Sequence, residues 1–439
     1  ALTRITAAME DETEGPPKPI LLHGITGSGK TEVYLQAAQH AIDAGQSVIV
    51  LVPEISLTPQ TVQRFKSRFA SLQDAVAVLH SHLSQGERFD EWHRLRKGKA
   101  RLVVGARSAI FAPLPDLGLI IVDEEHENTY KQENPPRYQG RDLAVVRAAL
   151  EKCAVVLGSA TPSLESTQNA RSGKYELVRL TQRADGASLP LIRVIDMRVE
   201  ARRQKSSGPA ILSEPLRTGM EKRLAEGAQI ILFLNRRGFA RSLQCPSCGH
   251  VCECQHCALP LTYHRGDERL RCHLCGFQSI VPRKCPKCSD PAIRLQGFGT
   301  EKVEEVLRKV FPKARLARLD TDTTRRKNAL RDTLTAFRAR KIDILLGTQM
   351  IAKGLDFPNV TLAGILNDDL SLHIPDFRAG ERTFQLLTQV AGRAGRGELE
   401  GEVIIQTFTP HSPSIQFARH HDFEGYADQD LEFRQQFSY

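Results

Sequence analysis

The 439-residue sequence has no apolar run approaching the roughly 20 residues needed to cross a bilayer, which excludes a helix-spanning membrane protein. Its opening residues, Ala1-Leu2-Thr3-Arg4, lack the apolar core of a secretion signal and include no initiator Met, so a fragment is expected. There is no internal repeat and no low-complexity tract, which argues against solenoids and long disordered segments. Tryptophan occurs once, as Trp92, within residues 85–97. That stretch opens with a Ser84-x-x-Glu87 capping box, and the reading is a helix with Trp92 in the core. Acidic residues are in deficit, 51 against 60 Lys and Arg, for a net charge of +9. A basic surface suits a polyanionic partner.

Cysteine is not scarce, but its arrangement excludes a disulfide framework. Eight of the ten cysteines fall in four CxxC pairs, and no signal accompanies them. Metal ligation in a reducing cytoplasm is the expectation.

Apolar runs alternate with amphipathic stretches, the pattern of βα units around parallel sheets. The strand candidates are 19–24, 47–53, 75–80, 101–106, 118–124 and 154–160 in the first half. In the second half they are 229–235, 316–320, 342–347, 360–366 and 402–407. Val, Ile and Leu fill both faces of these runs, as sheets covered on both sides require. Residues 183–209, with Arg202, Arg203 and Lys205 and a Ser-Ser-Gly-Pro turn, read as a linker. The stretch 245–288 has almost no apolar periodicity and reads as an insertion held by metal. Residues 417–437 look helical.

Three motifs carry chemistry. Gly24-Ile25-Thr26-Gly27-Ser28-Gly29-Lys30-Thr31 matches a phosphate-binding loop between a strand and a helix. Its glycines let backbone N–H groups curl round phosphates, Lys30 reaches the β/γ oxygens, and Thr31 holds Mg²⁺. Asp123-Glu124-Glu125-His126 ends an apolar strand. Asp123 is placed to hold Mg²⁺ and Glu124 to orient and deprotonate water. Gln389-Val-Ala-Gly-Arg393-Ala-Gly-Arg396 offers two arginines at i, i+3, read as one face of a helix start that meets a γ-phosphate across a domain cleft. The expected cofactors are ATP and Mg²⁺.

The CxxC pairs are Cys245/Cys248, Cys254/Cys257, Cys272/Cys275 and Cys285/Cys288. Each pair presents two thiolates and two pairs complete a tetrahedral site, so two Zn²⁺ are expected. Spacing favours the inner four together and the outer four together, with an interleaved arrangement as the alternative. Cys252 reads as a bystander and Cys153 as core; His264 and His273 lie near the cysteines without being needed as ligands.

The succession GITGSGKT, VPEISLTPQ (52–60), GARSAIFAP (105–113), DEEH, GSATPS (158–163), FLNRRGFA (233–240), GTQMIAKGLDFP (347–358) and QVAGRAGR resembles superfamily 2 helicases of the DExH type. TEVY after the loop, YKQE after DEEH and the eight-cysteine insertion are similar to the bacterial replication-restart helicases. The resemblance implies an α/β fold of two RecA-like parallel-sheet domains with a cysteine-rich zinc-binding insertion. Mapped on the chain, these are a first domain at 1–190, a linker and start of the second at 191–243, the insertion at 244–290, the remainder at 291–410 and the start of a C-terminal domain at 411–439.

The same resemblance implies ATP-driven 3′-5′ translocation on forked and single-stranded DNA in replication restart and primosome assembly, in the bacterial cytoplasm. Single-stranded DNA-binding protein and the loading proteins of the primosome and replicative helicase are the implied partners. It further implies DNA contacts at Pro53, Thr58, Arg107 and Ser108 on the first domain and Thr348 and Gly354 on the second. Tyr130, Arg137 and Tyr138 are implied DNA contacts as well, the tyrosines by stacking on a base, in an aromatic-rich loop that couples DNA binding to hydrolysis and carries Pro135-Pro136 where some relatives have an aromatic. Arg396 becomes the arginine finger, Arg393 a γ-phosphate contact, and His126 and Gln389 relays of nucleotide state. N-terminal DNA 3′-end-binding and winged-helix domains are expected beyond this sequence. The competing readings are a DNA-binding primosome scaffold without turnover and a different superfamily 2 DNA translocase.

Overall fold

A computed structural model describes the chain apart from residues 12–14, 54–58, 71–74, 82, 187, 205–210, 235–242, 246, 258, 265–267, 292–293, 296–298, 321–322, 324–328, 349–350, 352–356, 358, 367–368, 375, 396–400 and 438–439, and apart from the side chains at 59–61, 201, 204, 294–295 and 370–371. The chain forms two units, Ala1–Ala187 and Ser188–Tyr439.

The first unit is built on a seven-stranded parallel sheet. In spatial order its strands are Val76–Leu79, Leu102–Gly105, Ser47–Leu51, Leu117–Asp123, Ala154–Ser159, Ile20–Gly24 and Glu176–Leu180. The two-residue period of a strand explains why these runs are apolar throughout. Val48 and Val50 enter one core with Leu119, Ile121 and Val156, while Ile49 and Leu51 enter the opposite core with Ile120, Val122 and Val155. Each face is roofed by helices, among them Lys30–Asp43 on the first and Gly140–Glu151 on the second.

The second unit carries a six-stranded parallel sheet, ordered Leu191–Asp196, Glu402–Thr407, Val360–Leu366, Gln229–Leu234, Ile344–Gly347 and Leu316–Leu319. Leu191–Asp196 pairs along its whole length with Glu402–Thr407, and the helix Met197–Gln204 follows it. The linker reading of 183–209 is therefore corrected: its middle is an edge strand and a helix of the second unit. Only Ile192 of that strand is deeply buried, so the alternation was too weak to read. The other strand of the two large sheets that the periodicity missed, Glu176–Leu180, is likewise at a sheet edge.

Between Leu243–Gln244 and Arg294–Leu295, which pair antiparallel, the insertion holds one three-stranded sheet: Thr262–His264, Arg269–Arg271 and Gln278–Ile280. Residues 417–437 are not one helix. Pro413–Arg419 and Phe423–Gln436 break at His421, whose φ is 54°. Both helices belong to the second unit: Tyr426 stacks on Phe384 at 4.6 Å, and Arg434 Nη2 meets Glu381 Oε2 at 2.6 Å, both buried.

The capping box on Gln85–Arg96 is present, with Ser84 Oγ accepting from Glu87 N and Glu87 accepting from Ser84 N. Trp92, expected in the core, is instead 38% exposed, with the Arg96 guanidinium 5.3 Å from its ring centre. Among the described residues no helix is long and apolar enough to cross a membrane.

Candidate nucleotide site and metal centres

The phosphate loop leaves the strand Ile20–Gly24 and enters the helix Lys30–Asp43. Gly27 and Gly29 sit at φ 83° and 85°, a region costly for residues with a Cβ, and Gly29 caps the helix. A Cβ on Gly24 would come within 2.5 Å of Ser28 Oγ, so the first glycine is required by the tightness of the turn. Lys30 Nζ donates to Gly24 O at 2.6 Å, which folds the ammonium back over the loop. Ser28 Oγ is buried without a hydrogen-bond partner. A positive helix terminus, an inward ammonium and an unsatisfied hydroxyl fit a bound polyphosphate.

Asp123 ends the strand that lies two places from Ile20–Gly24, and the intervening strand is Ala154–Ser159. Tyr34, from the helix after the phosphate loop, donates its hydroxyl to Asp123 Oδ1 at 3.1 Å. That contact dictates Gly158, because a Cβ there would stand 1.7 Å from the Tyr34 oxygen. Burial and then the adjacent Glu124 charge push the Asp123 carboxyl up to about 6, against the pull of Lys30. Glu124 follows in the left-handed region at φ 47°, and its Oε2 is buried without a hydrogen-bond partner. His126 Nδ1 lies 3.7 Å from that oxygen and shares a 2.7 Å hydrogen bond with Ser159 Oγ, which accepts from Thr161 N. The DEEH and GSATPS segments are thereby joined.

Because Asp123 binds its proton more tightly in the folded than in the unfolded chain, its charge costs stability above about pH 6. The cost fades as the pH falls from about 6 toward the unfolded value near 4. Asp123→Asn is therefore expected to raise the thermal midpoint of the magnesium- and nucleotide-free protein at pH 7.5, by roughly 2–4 °C per kcal/mol in a unit of this size. The gain should shrink by pH 5; a midpoint unchanged or lowered at pH 7.5 contradicts the argument.

Sequence reasoning gave Glu125 no role. It is wholly buried; Oε1 accepts from Ser163 N at 2.6 Å, and Oε2 accepts from Ser166 Oγ at 2.9 Å and Arg141 Nη1 at 3.2 Å. Arg141 Nη1 also donates to Ser163 Oγ at 2.6 Å. The residue after Glu124 is thus fixed by an ion pair and two serines that lie far along the chain, and no local signal marks them.

Tyr130 corrects an expectation. It is wholly buried, and its hydroxyl donates to Asp123 O at 2.7 Å, so it holds the strand end and presents no face to a base. The loop after it is a hairpin, Lys131–Gln132 against Tyr138–Gln139. Arg107 Nη1 donates to Thr129 O at 3.1 Å and Lys131 O at 2.6 Å, which anchors that hairpin. Ser108 and Arg137 are exposed, Tyr138 is half-buried, and Pro53 is buried. Thr348 is half-buried at the end of Ile344–Gly347. Thr58, Gly354 and Arg396 lie outside the described residues. The helix Ala379–Ala391 carries Gln389, buried, and it ends before Arg393, which sits in the following turn with its N–H on Val390 O. The arginine segment therefore follows a helix end, where a helix start was expected.

The cysteines form two groups: Cys245, Cys248, Cys285 and Cys288, and Cys254, Cys257, Cys272 and Cys275. This is the inner-and-outer arrangement, and the interleaved alternative is not adopted. Sulfurs within the groups stand 3.6, 3.6 and 3.5 Å apart, against about 3.8 Å for the edge of a tetrahedron with a Zn–S bond of roughly 2.3 Å. The knuckles repeat one backbone design. Gly249, Gly276 and Ser289, each four residues after a first cysteine, adopt positive φ and donate N–H to that cysteine's carbonyl. Cys252 and Cys153 are buried outside both groups. His264 and His273 also lie outside them, with their Nε2 atoms 3.3 Å apart.

Comparison with known proteins agrees with this geometry. Residues 4–170 match the DEAD/DEAH box helicase family, 254–279 the PriA DNA helicase Cys-rich region domain, and 297–398 the helicase conserved C-terminal domain. Replication restart protein PriA of Bacillus subtilis is 54% identical over 96% of this chain and 52% of its own length. PriA of Haemophilus influenzae is 46% identical over 94% and 56%. The chain spans about half the length of the curated relatives it matches. RecG bound to a three-way DNA junction aligns over 98% of this chain and 45% of its own, with TM-score 0.54 at 18% identity. S. cerevisiae Dbp5 bound to RNA and ADP BeF3 aligns over 100% and 92%, with TM-score 0.53 at 14% identity. These two establish the fold alone, two RecA-like parallel-sheet domains; the match over 254–279 and the two cysteine groups identify the zinc-ribbon insertion.

Proposed function

This chain is a homologue of the PriA replication restart proteins along nearly its whole length, and on that premise we propose that it is an ATP-dependent 3′-5′ DNA translocase and helicase acting at forked DNA in replication restart. The observation that carries the reading is the meeting of Lys30, Asp123, Glu124 and the His126–Ser159 hydrogen bond at the ends of three successive strands of one sheet.

In this reading Gly24, Gly27, Ser28, Gly29, Lys30 and Thr31 bind the phosphates of ATP. Thr31 and Asp123 hold Mg²⁺, which neutralises charge on the transferred phosphoryl group. Glu124 takes the proton of the attacking water. Arg393 contacts the γ-phosphate, Arg396 is the arginine finger, and His126 and Gln389 relay nucleotide state. Pro53, Thr58, Arg107, Ser108, Arg137, Tyr138, Thr348 and Gly354 line the DNA path, with Arg107 also holding the coupling hairpin. The two cysteine groups hold two Zn²⁺ in a module that contacts the lagging-strand side of a fork or partner proteins. Single-stranded DNA-binding protein and primosome loading proteins are the partners, in the bacterial cytoplasm.

The test is ATP hydrolysis with and without a fork, paired with unwinding of forks of defined polarity. Stimulation by the fork and displacement of one strand are expected; negligible hydrolysis in both conditions would refute the reading.

A further inference from the structure

We propose that Phe111, with Tyr138 and Arg107, forms a stacking platform for an unpaired nucleobase; this rests on the function proposed above and adds the site at which the strand is gripped. Phe111 ends the short helical turn Arg107–Phe111 that follows the strand Leu102–Gly105. The turn folds back tightly: a Cβ on Gly105 would come within 2.4 Å of the Ala109 Cβ. Ala109 and Ile110 are buried beneath it, whereas the Phe111 ring is 60% exposed. The far end of the turn is pinned, because Arg147 Nη1 donates to Ala112 O at 3.0 Å. Phe111 is thus turned outward on a fixed support.

The ring does not stand alone. Its centre lies 5.3 Å from that of Tyr138 at an interplanar angle of 81°, and the Arg107 guanidinium is 5.9 Å from the Tyr138 ring. Edge-to-face packing orients two aromatics and leaves ring faces open to a third. The adjoining hairpin exposes Lys131 and Arg137 and carries Glu133 as its one acid between 131 and 139, a charge balance suited to a phosphate backbone. Unpaired bases are gripped by aromatic faces beside cations, without regard to sequence.

The coupling hairpin needs such a face from elsewhere. Tyr130 points inward, and the exposed part of the hairpin holds Pro135-Pro136 with no aromatic. Phe111 supplies from a neighbouring turn a more exposed face than the half-buried Tyr138 of the hairpin offers. Nothing in its local sequence, SAIFAP, separates it from a core phenylalanine.

Binding of an oligo-dT strand and an abasic strand of equal length, followed by fluorescence anisotropy, tests the proposal on the whole chain. Phe111→Ala and Phe111→Leu are expected to weaken oligo-dT binding by about 5- to 150-fold, the value of one lost base stack. Phe111→Trp is expected to restore it, and all four proteins should bind the abasic strand alike. Leu as good as Phe, or equal losses on both strands, would overturn the platform. If the unaltered protein binds oligo-dT and is stimulated by it while the Phe111 variants match it, the platform falls and the proposed function stands. If the unaltered protein neither binds strands nor hydrolyses ATP, both fall.

Discussion

Replacing Glu124 by Gln is expected to lower the kcat of fork-stimulated ATP hydrolysis by about 10²–10⁴-fold, the range for loss of a general base. Nucleotide affinity should hold or rise. Glu124 is held one residue past the strand end, in a left-handed turn whose next residue, Glu125, is fixed by Arg141 and Ser163. Gln has the same shape and keeps an acceptor oxygen, so the turn and the orientation of a water survive. What it cannot do is take a proton. Removing the charge also relieves the repulsion that raises the Asp123 carboxyl, which leaves Asp123 a better anion at neutral pH. Steady-state kcat and the Kd of a fluorescent nucleotide, measured on the same preparation, check both halves. A kcat within threefold of the unaltered protein would remove Glu124 from the chemistry.

Stripping metal from the insertion is expected to unfold it while leaving both parallel sheets intact. Its hydrophobic cluster is thin: Leu243, Leu259, Leu261 and Leu270 share it with six buried cysteines. Aliphatic burial on that scale cannot offset the ordering entropy of some fifty residues, whereas structural zinc in peptides is worth about 10–16 kcal/mol near neutral pH. Elemental analysis should find about two zinc per chain. After chelation, hydrogen exchange should lose its protection between Cys245 and Cys288 and keep it in Ile20–Gly24 and Gln229–Leu234. Cys285→Ser should lose one zinc and Cys252→Ser none, since Cys252 lies outside both groups. A zinc-free protein with a protected insertion would refute the argument.

Legibility followed chain distance. The phosphate loop is one contiguous turn, so Gly24, Gly27, Gly29 and Lys30 declare their chemistry in order. The CxxC knuckles are equally local, each closed by its own backbone hydrogen bond. Strands buried on both faces are continuous apolar runs and were readable to within a few residues. Two of the four edge strands, Glu176–Leu180 and Leu191–Asp196, were not: apart from Ile192 their residues are exposed or half-exposed, which dilutes the pattern. The helices after Pro413 were read as a single element because the break at His421 depends on a backbone conformation that composition does not announce.

Sequence by itself determined that this chain has a nucleotide site, paired thiolates for metal and the strand material for two parallel sheets. Each of these is made of residues within one turn or one run. Only the tertiary structure decided which CxxC pairs share a group, since Cys245 and Cys288 meet across 43 positions. It turned Tyr130, a predicted nucleic-acid contact, inward onto Asp123, and Phe111, which carried no such prediction, outward beside Tyr138. It also assigned Glu125 to Arg141 and Ser163, and Gly158 to the space Tyr34 needs. The reason is common to all of them: a residue type carries its chemistry along the chain, but its direction is set by partners that folding brings from elsewhere.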